Sequence, residues 1–187
     1  MGVLREALSL LTAEGLVQSA PQLGFRVRSL SLADLRELTD ARSEIETLVL
    51  RRAISEGGLD WESDVLAMHH RLERTPQAAE GDAERLSDAW VAAHAAFHAA
   101  LLSGCRNSRL RVMAGSLRDS AELYRRWSVP LGGARRDIAG EHLEMLQAVL
   151  ARDADRAAGA LEAHIRHTSR VLIESGASEI EGDVSES

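Results

Sequence analysis

Residues 91–102 read VAAHAAFHAALL, and this stretch decides how the chain is expected to fold. Alanine and leucine dominate it, and these residues are the strongest helix formers. Because a helix completes one turn in 3.6 residues, two histidines four residues apart lie on one face, within reach of a single bound ion. The stretch therefore predicts a bundle helix that carries His94 and His98 on the same side.

The composition of the 187-residue chain extends this prediction to most of its length. Hydrophobic residues make up 45% but aromatic residues only 3%, so the core must consist of Leu, Val, Ile and Ala, which favours helices. The length is that of one domain, or of one domain with a fragment. The net charge of -7 argues against a free-standing nucleic-acid-binding protein, since such proteins are usually basic.

Cysteine usage and hydropathy indicate the compartment. The single cysteine, Cys105, excludes a disulfide within the chain and fits a cytoplasmic setting. No apolar run approaches the roughly 20 residues of a membrane span. Arg5 and Glu6 interrupt any signal-peptide pattern at once. We therefore expect a cytoplasmic protein that does not contact membranes.

Apolar spacing, capping residues and breakers divide the chain into elements. After a helical segment at 4–16, the stretch 17–30 (VQSAPQLGFRVRSL) predicts a β-hairpin, the only strand signal of the chain. Caps and terminators then predict six helices with short connections, and therefore an all-α antiparallel bundle. The expected bounds are 31–56, 61–76, 82–103, 108–129, 134–151 and 153–175. The acidic, polar tail after these helices is predicted to be disordered.

Two further histidines fall among small or apolar residues, His142 on the fifth helix and His164 on the sixth. Four imidazoles in one core would repel one another if protonated, and neutral imidazoles would need partners. A divalent transition metal ion solves both problems, and imidazole-rich sites suit Zn, Ni, Cu, Co or Fe. The pattern leaves open that the histidines are ordinary core or surface residues. His167, three residues after His164, could substitute for one ligand.

Two sets of residues resemble parts of a known class of bacterial regulators. The first is similar to the recognition helix and wing of a GntR-type winged helix-turn-helix and comprises Val3–Leu8, Leu11, Ala13–Val17 and Gly24–Val27. The second is similar to the FCD effector domain of FadR-type members and comprises Ser31–Leu35, Arg42–Glu46, Ala96–Leu101, Asn107, Glu141, His142, Ala148, Asp153, Ala157 and His164. The division that follows is a partial winged helix-turn-helix over 1–29, a helical effector domain over 30–176 and the tail over 177–187.

The resemblance implies a metal-bearing bundle that binds a small carboxylate metabolite against the ion, a homodimer, and operator DNA as a partner. The family's metal pattern is Asp or Asn, His four residues later, and two further histidines. The last three positions map onto His98, His142 and His164, whereas His94 takes the Asp or Asn place. Such a site has one more unit of positive charge than the Asp version. We therefore expect Zn or Ni as the metal and tighter binding of anions.

A buried carboxylate needs cations or fixed donors besides the metal, because an unpaired buried charge is costly. The ligand-binding candidates are Arg42, Arg125 and Arg126. For Arg42 the alternative is an ordinary ion pair with Glu46 one helical turn away.

The candidates for DNA contact are Arg5, Arg26 and Arg28. The alternative is that these arginines are merely solvated. A helix-turn-helix needs the helices that precede its recognition helix. Since the chain starts almost at the recognition helix, we expect it to bind DNA weakly or not at all.

These observations favour a ligand-sensing regulator over an enzyme. The alternative is a metal-dependent, hydrolase-like helical enzyme, which would need a general base near the ion. The Glu-x-x-His ligands of di-iron bundles do not occur in the sequence. A third possibility is a plain helical interaction protein with packed histidines.

Overall fold

The computed structural model describes Leu4 and residues 6–8, 17–20, 24–27, 31–131 and 136–176. The described residues after position 30 form a helical bundle, which confirms the predicted fold class. Its helices are α1 (Leu32–Glu56), α2 (Leu59–Arg74), α3 (Asp88–Ser103), α4 (Ser108–Leu131), α5 (Ile138–Leu150) and α6 (Ala154–Gly176).

The predicted hairpin before the bundle is present. Strand β1 (Val17–Ala20) pairs antiparallel with β2 (Gly24–Val27), with Val17 opposite Val27. Gly24 has a φ of 85°, a conformation that glycine adopts without steric cost. The predicted recognition helix at about 3–13 lies mostly outside the described residues, and the tail at 177–187 lies wholly outside them.

Side-chain caps set where several helices begin. The Ser31 hydroxyl accepts a hydrogen bond of 3.0 Å from the backbone N–H of Asp34, and this N-cap starts α1 at Leu32. Asp137 accepts from Gly140 at 2.8 Å, so α5 begins at residue 138 and the expected start at 134 is wrong. Apart from this start and that of α3, the predicted bounds agree to within two residues, the usual spread at frayed helix ends.

A second hairpin contradicts the prediction of a single strand signal. Strand β3 (Ala78–Ala79) pairs antiparallel with β4 (Asp82–Leu86), and β4 replaces the start of the third helix predicted over 82–103. Gly81, at φ 78°, makes the turn between them. The Ser87 hydroxyl donates to the carbonyl of Pro76 at 2.6 Å and accepts from Trp90 at 3.1 Å, so it closes the hairpin and caps α3.

The core is aliphatic, as the composition predicts. Helix α1 packs on α6 and α4, α2 packs on α3 and α5, and α5 packs on α6. Few aromatic residues join the core; one of them, Trp61, is buried, and its indole N–H donates to the carbonyl of Ala100 at 2.8 Å. The largest fully buried side chains include Leu50, Phe97, Leu101, Met145, Leu161 and Ile165. No helix in the described ranges is both long and apolar enough to cross a membrane.

Candidate metal centre

Helix α3 turns His94 and His98 toward the interior of the bundle. The Ser87 cap sets the start of the helix. Because a helix completes one turn in 3.6 residues, His94 and His98 stack on one face. Both rings are buried, and their centroids lie 4.4 Å apart. Phe97 is fully buried, with its ring centroid 5.6 Å from that of His98 and 5.4 Å from that of His142. It thereby packs α3 against α5.

The other two predicted histidines reach the same point from neighbouring helices, His142 from α5 and His164 from α6, and both are buried. The centroids of the four rings lie 4.4 to 5.9 Å apart. One nitrogen of each ring lies within 4.8 Å of the corresponding nitrogens of the other three. Nitrogens bound to one ion at about 2.1 Å are at most about 4.2 Å apart. Small side-chain shifts would therefore bring all four onto one ion.

The protonation of this cluster suits a metal. Burial, helped by His164 and His142, holds the pKa of His98 well below its usual range. Burial likewise lowers the pKa of His142, to about 2, and that of His164. These three imidazoles are therefore neutral, and each has a ring nitrogen with an electron pair that can bind a metal. Within the part of the chain that the structure describes, both ring nitrogens of His98 and the Nε2 of His142 are buried without a hydrogen-bond partner, which is costly unless another group satisfies them. The four side chains fit a divalent transition metal.

A carboxylate contacts the cluster from outside. The Nδ1 of His164 lies 2.7 Å from Oε2 of Glu141, and Arg136 donates to both oxygens of that carboxylate, at 3.0 and 2.7 Å. Burial by itself would raise the pKa of Glu141, but the hydrogen bonds from His164 and Arg136 hold it well below its usual range. The Nδ1 of His167 also lies 3.0 Å from Glu141, and this ring is 43% exposed. His167 therefore contacts Glu141 and does not belong to the group of four.

A cavity of about 340 Å³, the arginine-lined cavity, opens beside three of the histidines. Two arginines, Arg42 of α1 and Arg118 of α4, line it, and so does the hydroxyl residue Thr168 of α6. Three acidic residues also line it, so its charge is mixed and not uniformly positive; they are Asp88, Asp119 and Glu122. Charged hydrogen-bond donors beside a cluster of neutral imidazoles can hold an anion against a metal ion.

The two interpretations of Arg42 are both compatible with the structure. Its Nε donates to Oε1 of Glu46 at 2.6 Å, the ion pair that the spacing allows, and Arg42 also lines the cavity. Arg118 was not among the predicted ligand-binding residues. The sequence contained a signal for it, because the small apolar residues Ala114 and Ala121 lie four residues before and three after Arg118, at helical spacing. Both alanines are buried, so Arg118 lies on the inner face of α4.

Glu141 was not among the predicted site residues: it directly precedes His142, and neighbours on a helix point about 100° apart. The structure agrees that it does not share the direction of His142, and shows that it contacts His164 instead. Arg136, which holds it, was not predicted.

The remaining predicted site residues are only partly described. The side chains of Arg125 and Arg126 lie outside the part of the chain that the structure describes, and so do Arg5 and Arg28. The backbone of Arg26 lies in β2 opposite Gln18, while its side chain is not described. Their roles in ligand or DNA binding stay predictions.

Comparison with known proteins identifies the family. Residues 37–167 match the family model of the FCD domain. The chain is 35% identical over 175 residues to the HTH-type transcriptional regulator BphR of Paraburkholderia xenovorans, covering 94% of this chain and 71% of that protein. It is 39% identical over 169 residues to the HTH-type transcriptional repressor GlaR of Escherichia coli, covering 88% and 76%. Both relatives are named as transcription regulators, as predicted, and not as enzymes.

Among solved structures, a transcriptional regulator of the GntR family from Pseudomonas syringae has the same fold. The TM-score is 0.66 at 20% identity, and the match covers 96% of this chain and 72% of that one. The chain belongs to the GntR family of transcription regulators and carries an FCD domain.

Proposed function

We propose that this chain senses a small carboxylate metabolite, held beside a divalent metal ion, and that this binding modulates DNA binding by the regulator. One observation carries the proposal. Four buried histidines from three helices converge, and nitrogens of His98 and His142 have no hydrogen-bond partner among the described residues. Three of them border a cavity that two arginines line.

In this proposal His94, His98, His142 and His164 hold the ion. When bound, the ion supplies a positive centre that can accept a carboxylate oxygen. Four nitrogen donors favour Zn or Ni over Mg or Ca. No carboxylate belongs to the group of four, and the nearby charge of Glu141 is balanced by Arg136. The loaded site therefore keeps a positive charge, which favours anionic ligands.

The residues of the arginine-lined cavity bind the rest of the ligand. Arg42 and Arg118 offer charge-assisted hydrogen bonds to carboxylate oxygens, and Thr168 offers a hydroxyl. The volume of about 340 Å³ is at the lower end of the range for small-molecule sites, which fits a metabolite better than a polymer.

The cavity is lined by residues of α1, α3, α4 and α6, so a ligand there contacts four helices at once. A ligand that binds one arrangement of these helices more tightly than another shifts the equilibrium between them. In a homodimer, this shift would change the spacing of the DNA-reading domains on the operator. The relatives named as regulators support this role for the whole protein.

Elemental analysis of the purified chain tests the metal site. We expect about one divalent transition metal ion per chain, and loss of that ion in both His98→Ala and His142→Ala. The matched control is His70→Ala, since the side chain of His70 is 73% exposed. If no sample contains metal and the variants are merely less stable, the histidines are core packing and the proposal fails.

Calorimetry tests the ligand class. Acetate, succinate and benzoate are titrated into metal-loaded and metal-free protein, with acetamide, succinamide and benzamide as uncharged controls. We expect at least one carboxylate to bind, more tightly when metal is present, and its amide not to bind. Equal binding of acid and amide would contradict a carboxylate sensor.

A further inference from the structure

The hydrogen bonds around Glu141 carry an inference that rests on the proposed metal site and goes beyond it. We propose that Glu141, held in place by Arg136, is a positioning residue that orients His164 toward the ion and determines which of its ring nitrogens is the ligand.

The contact with Glu141 determines where neutral His164 carries its proton. A neutral imidazole has one N–H, and an ionised carboxylate can only accept hydrogen bonds. Since Nδ1 of His164 lies 2.7 Å from Oε2 of Glu141, the proton resides on Nδ1. The Nε2 atom then has the free electron pair. Carboxylates and carbonyls orient metal-binding histidines in the same way, through the nitrogen that does not bind the metal.

Arg136 in turn fixes the orientation of Glu141. Arg136 donates to Oε1 from Nε at 3.0 Å and to Oε2 from Nη2 at 2.7 Å, a two-point contact that fixes the plane of the carboxylate. The Nη1 atom of Arg136 donates to the hydroxyl of Thr168 at 3.0 Å, and the arginine side chain is only 7% exposed. The orientation of His164 therefore depends on a buried network that also includes a residue of the arginine-lined cavity.

Glu144 provides a matched control on the same helix. It too accepts a two-point contact from an arginine, Arg156, at 2.8 and 2.9 Å. Its side chain is 46% exposed, however, and it belongs neither to the cluster nor to the cavity lining. Replacing either glutamate with glutamine removes one negative charge beside an arginine, but only Glu141 touches a histidine of the cluster.

The experiment compares the 187-residue wild-type chain with its Glu141→Gln and Glu144→Gln variants. Zinc affinity is measured by competition with a chromogenic chelator, and the tautomer of His164 is read from two-bond ¹H–¹⁵N correlations of the metal-free protein. We expect Glu141→Gln to bind zinc about 10 to 100 times more weakly and to lose the uniform Nδ1–H form of His164. A glutamine cannot satisfy both neighbours, because the N–H₂ group that would face Arg136 is a donor. Glu144→Gln should match wild type in both measurements.

Arg136→Lys provides a second variant should Glu141→Gln fold poorly. It keeps the charge but loses the two-point contact, and we expect a smaller fall in zinc affinity with a partly mixed tautomer. If wild type binds zinc and the Glu141 and Arg136 variants bind it equally well with His164 unchanged, the positioning role is wrong. If wild type binds no zinc, the proposed metal site is wrong. The tautomer measurement then still decides whether Glu141 orients His164.

Discussion

Arg42 and Glu46 lie one turn apart on α1, and the Nε of Arg42 is 2.6 Å from Oε1 of a glutamate side chain that is fully buried. The second oxygen of Glu46 has no hydrogen-bond partner within the described structure. The arginine thus neutralises a buried charge and at the same time lines the cavity proposed for the ligand. Its contribution to folding must be known before its contribution to binding can be measured.

Replacing Arg42 with alanine should lower the free energy of unfolding by about 3 to 5 kcal/mol, because Glu46 is left buried without its partner. Urea denaturation measures the loss. The matched control is Arg52→Ala, since Arg52 forms the equivalent pair with Glu56 on the same helix but is 41% exposed. The control should lose much less. The double variant Arg42→Met with Glu46→Leu should recover most of the stability, and equal losses in Arg42→Ala and Arg52→Ala would contradict this account.

Metal removal should destabilise the bundle, because buried imidazole nitrogens then have no partner. At a free zinc concentration 1,000 times the Kd, we expect the free energy of unfolding to exceed that of the chelator-treated protein by about 4 kcal/mol. Urea titrations with zinc or with EDTA measure the difference. His98→Ala should show no response to zinc, while His70→Ala should respond like wild type. An equal response to zinc in both variants would mean that the ion binds elsewhere.

Much of the fold could be predicted because its signals are local. Capping residues, breakers and apolar spacing lie within a few residues of one another, and they gave the helices and the wing hairpin. The hairpin of β3 and β4 was missed because Ala78–Ala79 and Asp82–Leu86 contain no β-branched or aromatic residue. Their pairing depends on the turn at Gly81 and on the contact of Ser87 with Pro76.

The candidate site was predictable only in part for a related reason. The four histidines, flanked by small or apolar residues, were visible in the sequence, and three of them matched the metal pattern of the family. The spacing of His94 and His98 required these two to share one helix face. The contact of Glu141 with His164 joins two helices, and no local pattern encodes it. The same holds for Arg136, since it reaches His164 and Thr168 across the bundle. Such contacts depend on how the helices pack.

The His94→Asp variant introduces a carboxylate ligand and so tests what its absence does to the wild-type site. Aspartate removes one unit of positive charge and supplies an oxygen donor. We therefore expect preference to shift from Zn and Ni toward Mn, and affinity for the best carboxylate of the calorimetric series to fall by about tenfold. The control is His94→Asn, which is as neutral as histidine and should keep more of the carboxylate affinity. Metal analysis and calorimetry that show no change in His94→Asp would contradict the charge argument.

Arg118 provides a second test of the cavity, because it lines the cavity from α4 and does not belong to the cluster of four histidines. We expect Arg118→Ala to weaken binding of that carboxylate by about tenfold, the loss of one charge-assisted hydrogen bond. Zinc affinity should stay unchanged, since the proposed metal ligands are the four clustered histidines and not Arg118. Arg118→Lys should fall between wild type and Arg118→Ala, because lysine keeps the charge without the planar two-point geometry. Arg109→Ala, an exposed position on the same helix, should bind like wild type. Calorimetry on zinc-loaded protein decides, and unchanged affinity in Arg118→Ala would place the carboxylate outside this cavity.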